Sequence, residues 1–277
     1  MSNDRNTIWR QGHILPEEAA KTLNLLHLEA PNRTLVVIVS HDCDLANSQE
    51  TYLEVIIGRR IEKPEGNFTH TKNVRKLHLE VELPGESVTI ELLADKSKLL
   101  KAALTNYHPR KDFRIAAKNH DILQRWLAVR YRRSAFPDEF NKRFKNLGLD
   151  NQLSKILRPH GSYIPAIFFD VDSGDDIERE NPNDPYVLEI IVLHTTDDNY
   201  EEACEAATQV KQQIEILFKE KLKTRNGIEW QYIELKDCLV MSDEALSYRQ
   251  STFLKQWRLD HISLKDDPIQ PTMVVII

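Results

Sequence analysis

Five consecutive apolar residues, Leu35 to Val39, four of them β-branched, stand between Thr34 and Ser40. A run this short cannot cross a membrane and has no polar face, so it must form a strand buried on both sides. Tyr52 to Ile57 is a second segment of the same kind, and the residues between them, His41 to Asn47, are rich in the Asp and Asn that favour turns. Further on, Leu77 to Leu83 alternates apolar and polar residues, Pro84-Gly85 turns the chain, and Ser87 to Leu92 returns it, which predicts a hairpin with one wet face. Residues 1–95 therefore read as a β-rich domain.

The period then becomes helical. From Asn119 to about Arg133, Ile122, Leu123, Trp126, Leu127 and Arg130 fall on one helix face, which places Trp126 in a core. Pro137 ends this segment, and Phe140 and Phe144 anchor a following short helix. Residues 96–160 read as a basic helical connector, and 161–277 as a further α+β layer. In that layer, strands at Ile164 to Phe169 and Val187 to Leu193 flank a polar loop, and a long helix capped by Asp198 buries Ala203, Ala206, Val210, Ile214, Leu217 and Phe218. Asn226-Gly227 stops that helix, and Ile228 to Leu235 and Trp257 to Leu264 read as closing strands. The expected fold class is α+β, with an N-terminal β-rich domain, a helical connector and a C-terminal antiparallel α+β layer.

With 41% hydrophobic and 29% charged residues, the chain lies with folded proteins and away from the disordered and membrane classes. Residues 1–10 are polar with no apolar stretch, and nowhere are there ~18 consecutive apolar residues, so no export signal or membrane span is expected. The three cysteines, Cys43, Cys204 and Cys238, form no CxxC pair, which argues against a disulfide frame or a thiolate zinc site. These features predict a cytoplasmic protein.

The densest chemistry lies at the end of the first buried strand, in His41-Asp-Cys-Asp44. If the backbone stays extended, Asp42 and Asp44 share a face and can hold a hard cation, Mg²⁺ or Mn²⁺, with Glu54 on the neighbouring strand completing the site. His41 would then move a proton, and no other cofactor is implied. The competing reading is that the Asp residues only shape the strand exit. A second such sequence, Asp170-Val-Asp172, is superficially like the first motif of haloacid-dehalogenase-type phosphotransferases. A polar loop leads from it straight into another strand, so it reads as an acidic hairpin turn.

The formal net charge of −6 hides two unlike segments. His108 to Leu147 carries 11 Lys and Arg against 4 acids, a net of +7, whereas Gly161 to Glu205 carries 13 acids against Arg179 alone, a net of −12. Lys118, Arg125 and Arg132 recur at seven-residue steps and would form a stripe able to follow a phosphate backbone. Nucleic acid or nucleotide is one expected partner, and a basic protein partner engaging the acidic layer is another. The alternative is that the basic helix and the acidic layer neutralise each other within the chain.

Trp9-Arg-Gln-Gly-His-Ile-Leu15, then Thr34-Leu-Val-Val-Ile-Val-Ser-His-Asp42, then Tyr52-Leu-Glu-Val-Ile-Ile57 resemble the start of the MazF/PemK toxin barrel. The resemblance covers about a fifth of the chain. It implies that the N-terminal β-rich domain is barrel-like, a small SH3-like barrel, with metal-independent RNA cleavage by an early Arg and a Thr after the third strand. Arg10, Gly12 and Ile14 match the first motif, with His13 where the family has an acid. The Thr has no counterpart, because Ile57 runs into Gly58-Arg59-Arg60, although Arg59 could support a phosphate. The whole chain also looks like uncharacterised bacterial proteins of defence or toxin neighbourhoods. The expected function is a nucleic-acid-directed phosphodiesterase, metal-assisted through Asp42 and Asp44, with Arg10, Arg59, Lys118, Arg125 and Arg132 on the strand. A non-catalytic binding or scaffold protein is the alternative.

Overall fold

A computed structural model describes residues 7–129, 136–179, 181, 183–197, 199–224, 227, 229–247, 250, 254–259 and 275–276. The protein is α+β, with two separate sheets, and its chain divides into two compact units. The first comprises residues 1–64, 74–130 and 266–277, and the second residues 65–73 and 131–265. The basic stretch read as one connector is thus shared between the units. No described helix is long and apolar enough to cross a membrane.

In the first unit, Thr34–Ile38 (β1) pairs antiparallel with Tyr52–Ile61 (β2). Lys76–Leu83 (β3) and Glu86–Leu93 (β4) form the expected hairpin, closed at Pro84 and Gly85, and Ser97–Leu100 (β5) completes the antiparallel set. Val275–Ile276 adds two parallel residues to β5. Val55 pairs with both Ile38 and Ser97, and Arg59 with both Thr34 and Glu91. The long β2 therefore carries β1 along one edge and passes from β5 to β4 along the other. No closed barrel is found among the described residues.

Strand β1 is buried on both faces, as its sequence requires. Leu35, Val37 and Val39 join a core with Leu77, Leu79, Ile90 and Leu92, whereas Val36 and Ile38 join another with Leu15, Ala19, Leu53 and Leu99. Short helix Glu17–Thr22 (α1) supplies Ala19 and Ala20 to the second core. Helix Ala117–Val129 (α3; Asp42–Ala46 is α2) lays Leu123 and Trp126 on the first, with Trp126 buried as predicted. Arg130, Arg132 and the rest of the segment to residue 135 lie outside the described residues.

In the second unit, Asp138–Asn146 (α4) buries Phe140 and Phe144. Leu149–Leu157 (α5) follows, a helix the sequence reading did not separate. Ala166–Val171 (β6) and Tyr186–His194 (β7) form the expected antiparallel hairpin. Asp172 accepts from Arg179 Nε at 2.8 Å and from the Val187 N–H at 2.9 Å, so the second acidic motif is a turn clamp. Helix Tyr200–Leu222 (α6) begins one residue later than expected, with Asn199 Oδ1 accepting from Glu202 N–H, and all six apolar residues read as its inner face are buried.

Ile233–Ser242 (β8) then runs parallel to β7, and Lys255–Trp257 (β9) lies antiparallel on β6, in the order β8-β7-β6-β9. The sheet is mixed rather than wholly antiparallel, because α6 carries the chain back along the sheet before β8 begins. The strand begins at Ile233, five residues after the expected start at Ile228, and residues 260–264 lie outside the described residues.

One cation of the basic stretch is structural. Arg143 is 4% exposed and its guanidinium donates to the carbonyls of Asp184, Tyr232 and Asn181 at 2.9–3.0 Å and to that of Arg179. It gathers the acidic loop by main-chain hydrogen bonds, which charge counting cannot reveal.

Candidate phosphate-binding pocket

The end of β1 does not stay extended. His41 caps α2, its Nδ1 accepting from the Cys43 N–H at 3.3 Å, and residues 42–46 turn helically. At ~100° per residue, Asp42 and Asp44 are about 200° apart around that turn and cannot share a face. This corrects the extended-strand geometry on which the paired-carboxylate site depended. Asp42 Oδ1 instead accepts from the Gln11 N–H at 2.9 Å, with Arg10 Nε 3.8 Å from Oδ2. Asp44 and His41 are exposed, and Glu54 is paired with Lys96 at 2.8 Å. Among the described residues, no three His, Cys, Asp or Glu side chains form a group able to hold a metal ion.

The residues expected to follow a phosphate backbone are similarly dispersed. Arg10 Nη1 donates to the carbonyls of Thr7 and Trp9 at 2.7 and 2.6 Å, which shapes its own loop. Arg59 is bound to Glu91 and Glu29. Lys118 and Arg125 are exposed on one face of α3, but exposed Asp121 stands between them, three residues after one and four before the other. Arg132 lies outside the described residues.

What the structure does assemble is built on the loop Trp9 to His13. Gln11 is its hub: its side-chain amide donates to Val39 O at 2.8 Å, its carbonyl accepts from His120 Nε2 at 3.1 Å, and its Oε1 accepts from Gln124 at 2.8 Å. Gly12 donates to Ile38 O and sits at φ +84°, a left-handed conformation that favours glycine. The loop is thereby held to β1 on one side and α3 on the other. His13 Nδ1 accepts from the Arg10 N–H at 3.1 Å, so in the neutral ring the proton is on Nε2. Burial, then the Arg10 charge, hold His13 below the usual imidazole range; Asp42 opposes this and His120 adds to it.

His13 and His120 line a cavity of about 710 Å³ together with His108. Arg110, Lys111 and Arg114 supply its positive charge, and Ile8, Phe113 and Ile115 its apolar wall. Among the described residues, no carboxylate lines it. Asp112, next in sequence, is bound by Arg110 through Nε–Oδ1 at 3.1 Å and Nη2–Oδ2 at 2.5 Å, a pairing that lowers its pKa. Such a cavity can hold an anion by charge and by N–H donors together.

In the sequence His13 stands out only as a departure from a motif, His108 only bounds the basic stretch, and nothing singles out His120. The local signal was His108-Pro-Arg-Lys-Asp-Phe-Arg114, three cations with a histidine and an aromatic ring in seven residues. Comparison of the chain with protein-family models, with curated proteins and with solved structures finds no match.

Proposed function

We propose that this protein binds nucleic acid through the pocket of its first unit, as a non-catalytic binding protein. The observation that supports this reading is the union of Arg110, Lys111 and Arg114 with three histidines in one cavity that, among the described residues, no carboxylate lines. Each phosphate neutralised by such a cation releases counterions, so affinity depends on salt. Arg110 is held by Asp112, so the two phosphate contacts left to Lys111 and Arg114 correspond to a slope of log K against log salt of about −1.4 to −1.8. Fluorescence anisotropy of labelled DNA and RNA across a salt series tests this. Lys111→Glu/Arg114→Glu should weaken binding to all sequences and flatten the slope, and binding that is insensitive to salt or to this double substitution rejects the reading.

Phosphodiester cleavage is the second reading, and one observation favours it. His120 donates its Nε2 proton to Gln11 O, so in the neutral ring Nδ1 keeps a lone pair able to act as a base. Incubating a labelled strand with Mg²⁺, Mn²⁺ or a chelator tests it, using wild type, His120→Gln and Asp42→Ala/Asp44→Ala. Loss of cleavage in His120→Gln alone supports the histidine base, and loss in the double Asp variant alone supports metal assistance. An intact strand in every arm leaves binding as the function.

A further inference from the structure

Two kinds of recognition surface meet in the pocket, and they are held apart. Arg110 is pinned flat: its Nε and Nη2 grip Asp112, and its Cζ lies 4.1 Å from the centroid of the Phe113 ring. Its backbone N–H also donates to Ile14 O at 3.0 Å. A guanidinium so fixed, with 27% of its side-chain surface open, is a poor phosphate hook and a good planar platform. Lys111 and Arg114 are different, because both are exposed, and Arg114 approaches Glu82 no closer than 4.0 Å. His13, with Nδ1 occupied by the Arg10 N–H, presents its Nε2–H as a neutral donor.

We propose that the pocket takes a single nucleotide unit, with its base laid on the Arg110–Phe113 stack and its phosphate on Lys111 and Arg114. This rests on the nucleic-acid reading above and narrows it. A volume of about 710 Å³ suits one small-molecule-sized group, and Ile8 and Ile115 add apolar wall for a base. A duplex keeps its bases paired and stacked, so only its phosphates could reach this surface. A free nucleoside phosphate and an unpaired nucleotide within a strand carry the same chemistry.

The test is calorimetric titration of the full chain with adenosine triphosphate, a single-stranded oligonucleotide, its duplex, and inorganic tripolyphosphate as a charge control. Phe113→Leu keeps apolar volume without the ring, and Arg110→Lys keeps charge without the plane. Each should weaken adenosine triphosphate or single-strand binding about 10-fold, the scale of one base stack, and leave tripolyphosphate unchanged. Lys111→Ala/Arg114→Ala should weaken every ligand. Binding of adenosine triphosphate identifies the free nucleotide as a source, and binding of the strand alone identifies an unpaired nucleotide; both support the site when they depend on the stack. Unchanged affinity in both stack variants, or duplex binding as tight as single strand, overturns the inference. If Lys111 and Arg114 still matter in that case, the nucleic-acid reading survives, whereas no binding of any polyanion overturns both.

Discussion

Arg59 and Glu91 are direct partners across the β2–β4 ladder, and their side chains meet with Arg59 Nε 2.8 Å from Glu91 Oε1. His78, the partner of Glu91 on β3, closes on its other oxygen at 3.2 Å, with Lys76 Nζ at 3.8 Å. One carboxylate thus joins three strands in a row, 8% exposed and surrounded by donors. The arginine that sequence reading assigned to phosphate contact serves the sheet, because a buried carboxylate needs its charge more than a solvated ligand does.

Burial alone would raise the Glu91 pKa, but the His78 hydrogen bond and the Lys76 and Arg59 charges outweigh it and hold the group at about 2. Against 4.5, the native state binds fewer protons than the unfolded chain through this window. The stabilisation, about 3 kcal/mol, is present above pH ~4.5 and is lost as pH falls toward ~2. Urea unfolding followed at several pH values should show that loss in wild type. Glu91→Gln should flatten the profile and lower stability at neutral pH by about 3 kcal/mol, as expected when one partner of a buried pair is removed.

Lys72 in the second unit behaves in the opposite sense. Its ammonium, 4% exposed, donates to the carbonyls of Gly161 and Ile164 at 2.6 and 2.9 Å, and burial pushes its pKa down to about 7. Between pH ~7 and ~10.5 the unfolded state binds the extra proton, so unfolding free energy rises with pH over that window and is flat below it. Comparing urea midpoints of wild type and Lys72→Met from pH 7 to 10 checks this. A constant difference between the two proteins across that range would count against a titrating Lys72.

Gly66 and Gly161 touch main chain to main chain within the second unit. A Cβ on Gly66 would strike Arg158 O, and one on Gly161 would strike the Gly66 Cα. Because the obstacle is backbone, neither site can relax by a rotamer change. Gly66→Ala and Gly161→Ala should each cost about 2–4 kcal/mol by thermal or urea unfolding, far more than Gly85→Ala, where the strain is only the left-handed backbone at an open turn.

Gly12 couples stability to the pocket. It combines φ +84° with a would-be Cβ only 3.0 Å from His120 Cδ2. Gly12→Ala should cost about 1–2 kcal/mol in stability and, by displacing the His120 ring from Gln11 O, weaken nucleotide or strand binding. Denaturation and anisotropy on the same preparation separate the two effects.

Much of the architecture is legible in the sequence. The apolar run Leu35 to Val39 demanded burial on both faces and has it, the 77–92 hairpin closes at Pro84-Gly85, and the inner face of α6 was readable from its period. Periodicity reports local burial because every residue of an element shares one geometry. Parallel pairing of β7 with β8 and the helical turn at Asp42 were not legible, since both depend on where the chain goes next. The resemblance assigned Arg59 to a phosphate and the charge count only summed Arg143 with its neighbours, whereas the fold gives the one a buried carboxylate and the other four carbonyls.

The sequence by itself determined an α+β protein with a doubly buried first strand, a basic middle and an acidic stretch after it. Only the tertiary structure decided that Asp42 closes a loop instead of facing Asp44, and that His13, from the start of the chain, meets His108, Arg110 and His120 around one cavity. The reason is physical: residue type and spacing set which side chains want water or partners, but a pocket is made by groups about a hundred residues apart, which only packing brings together.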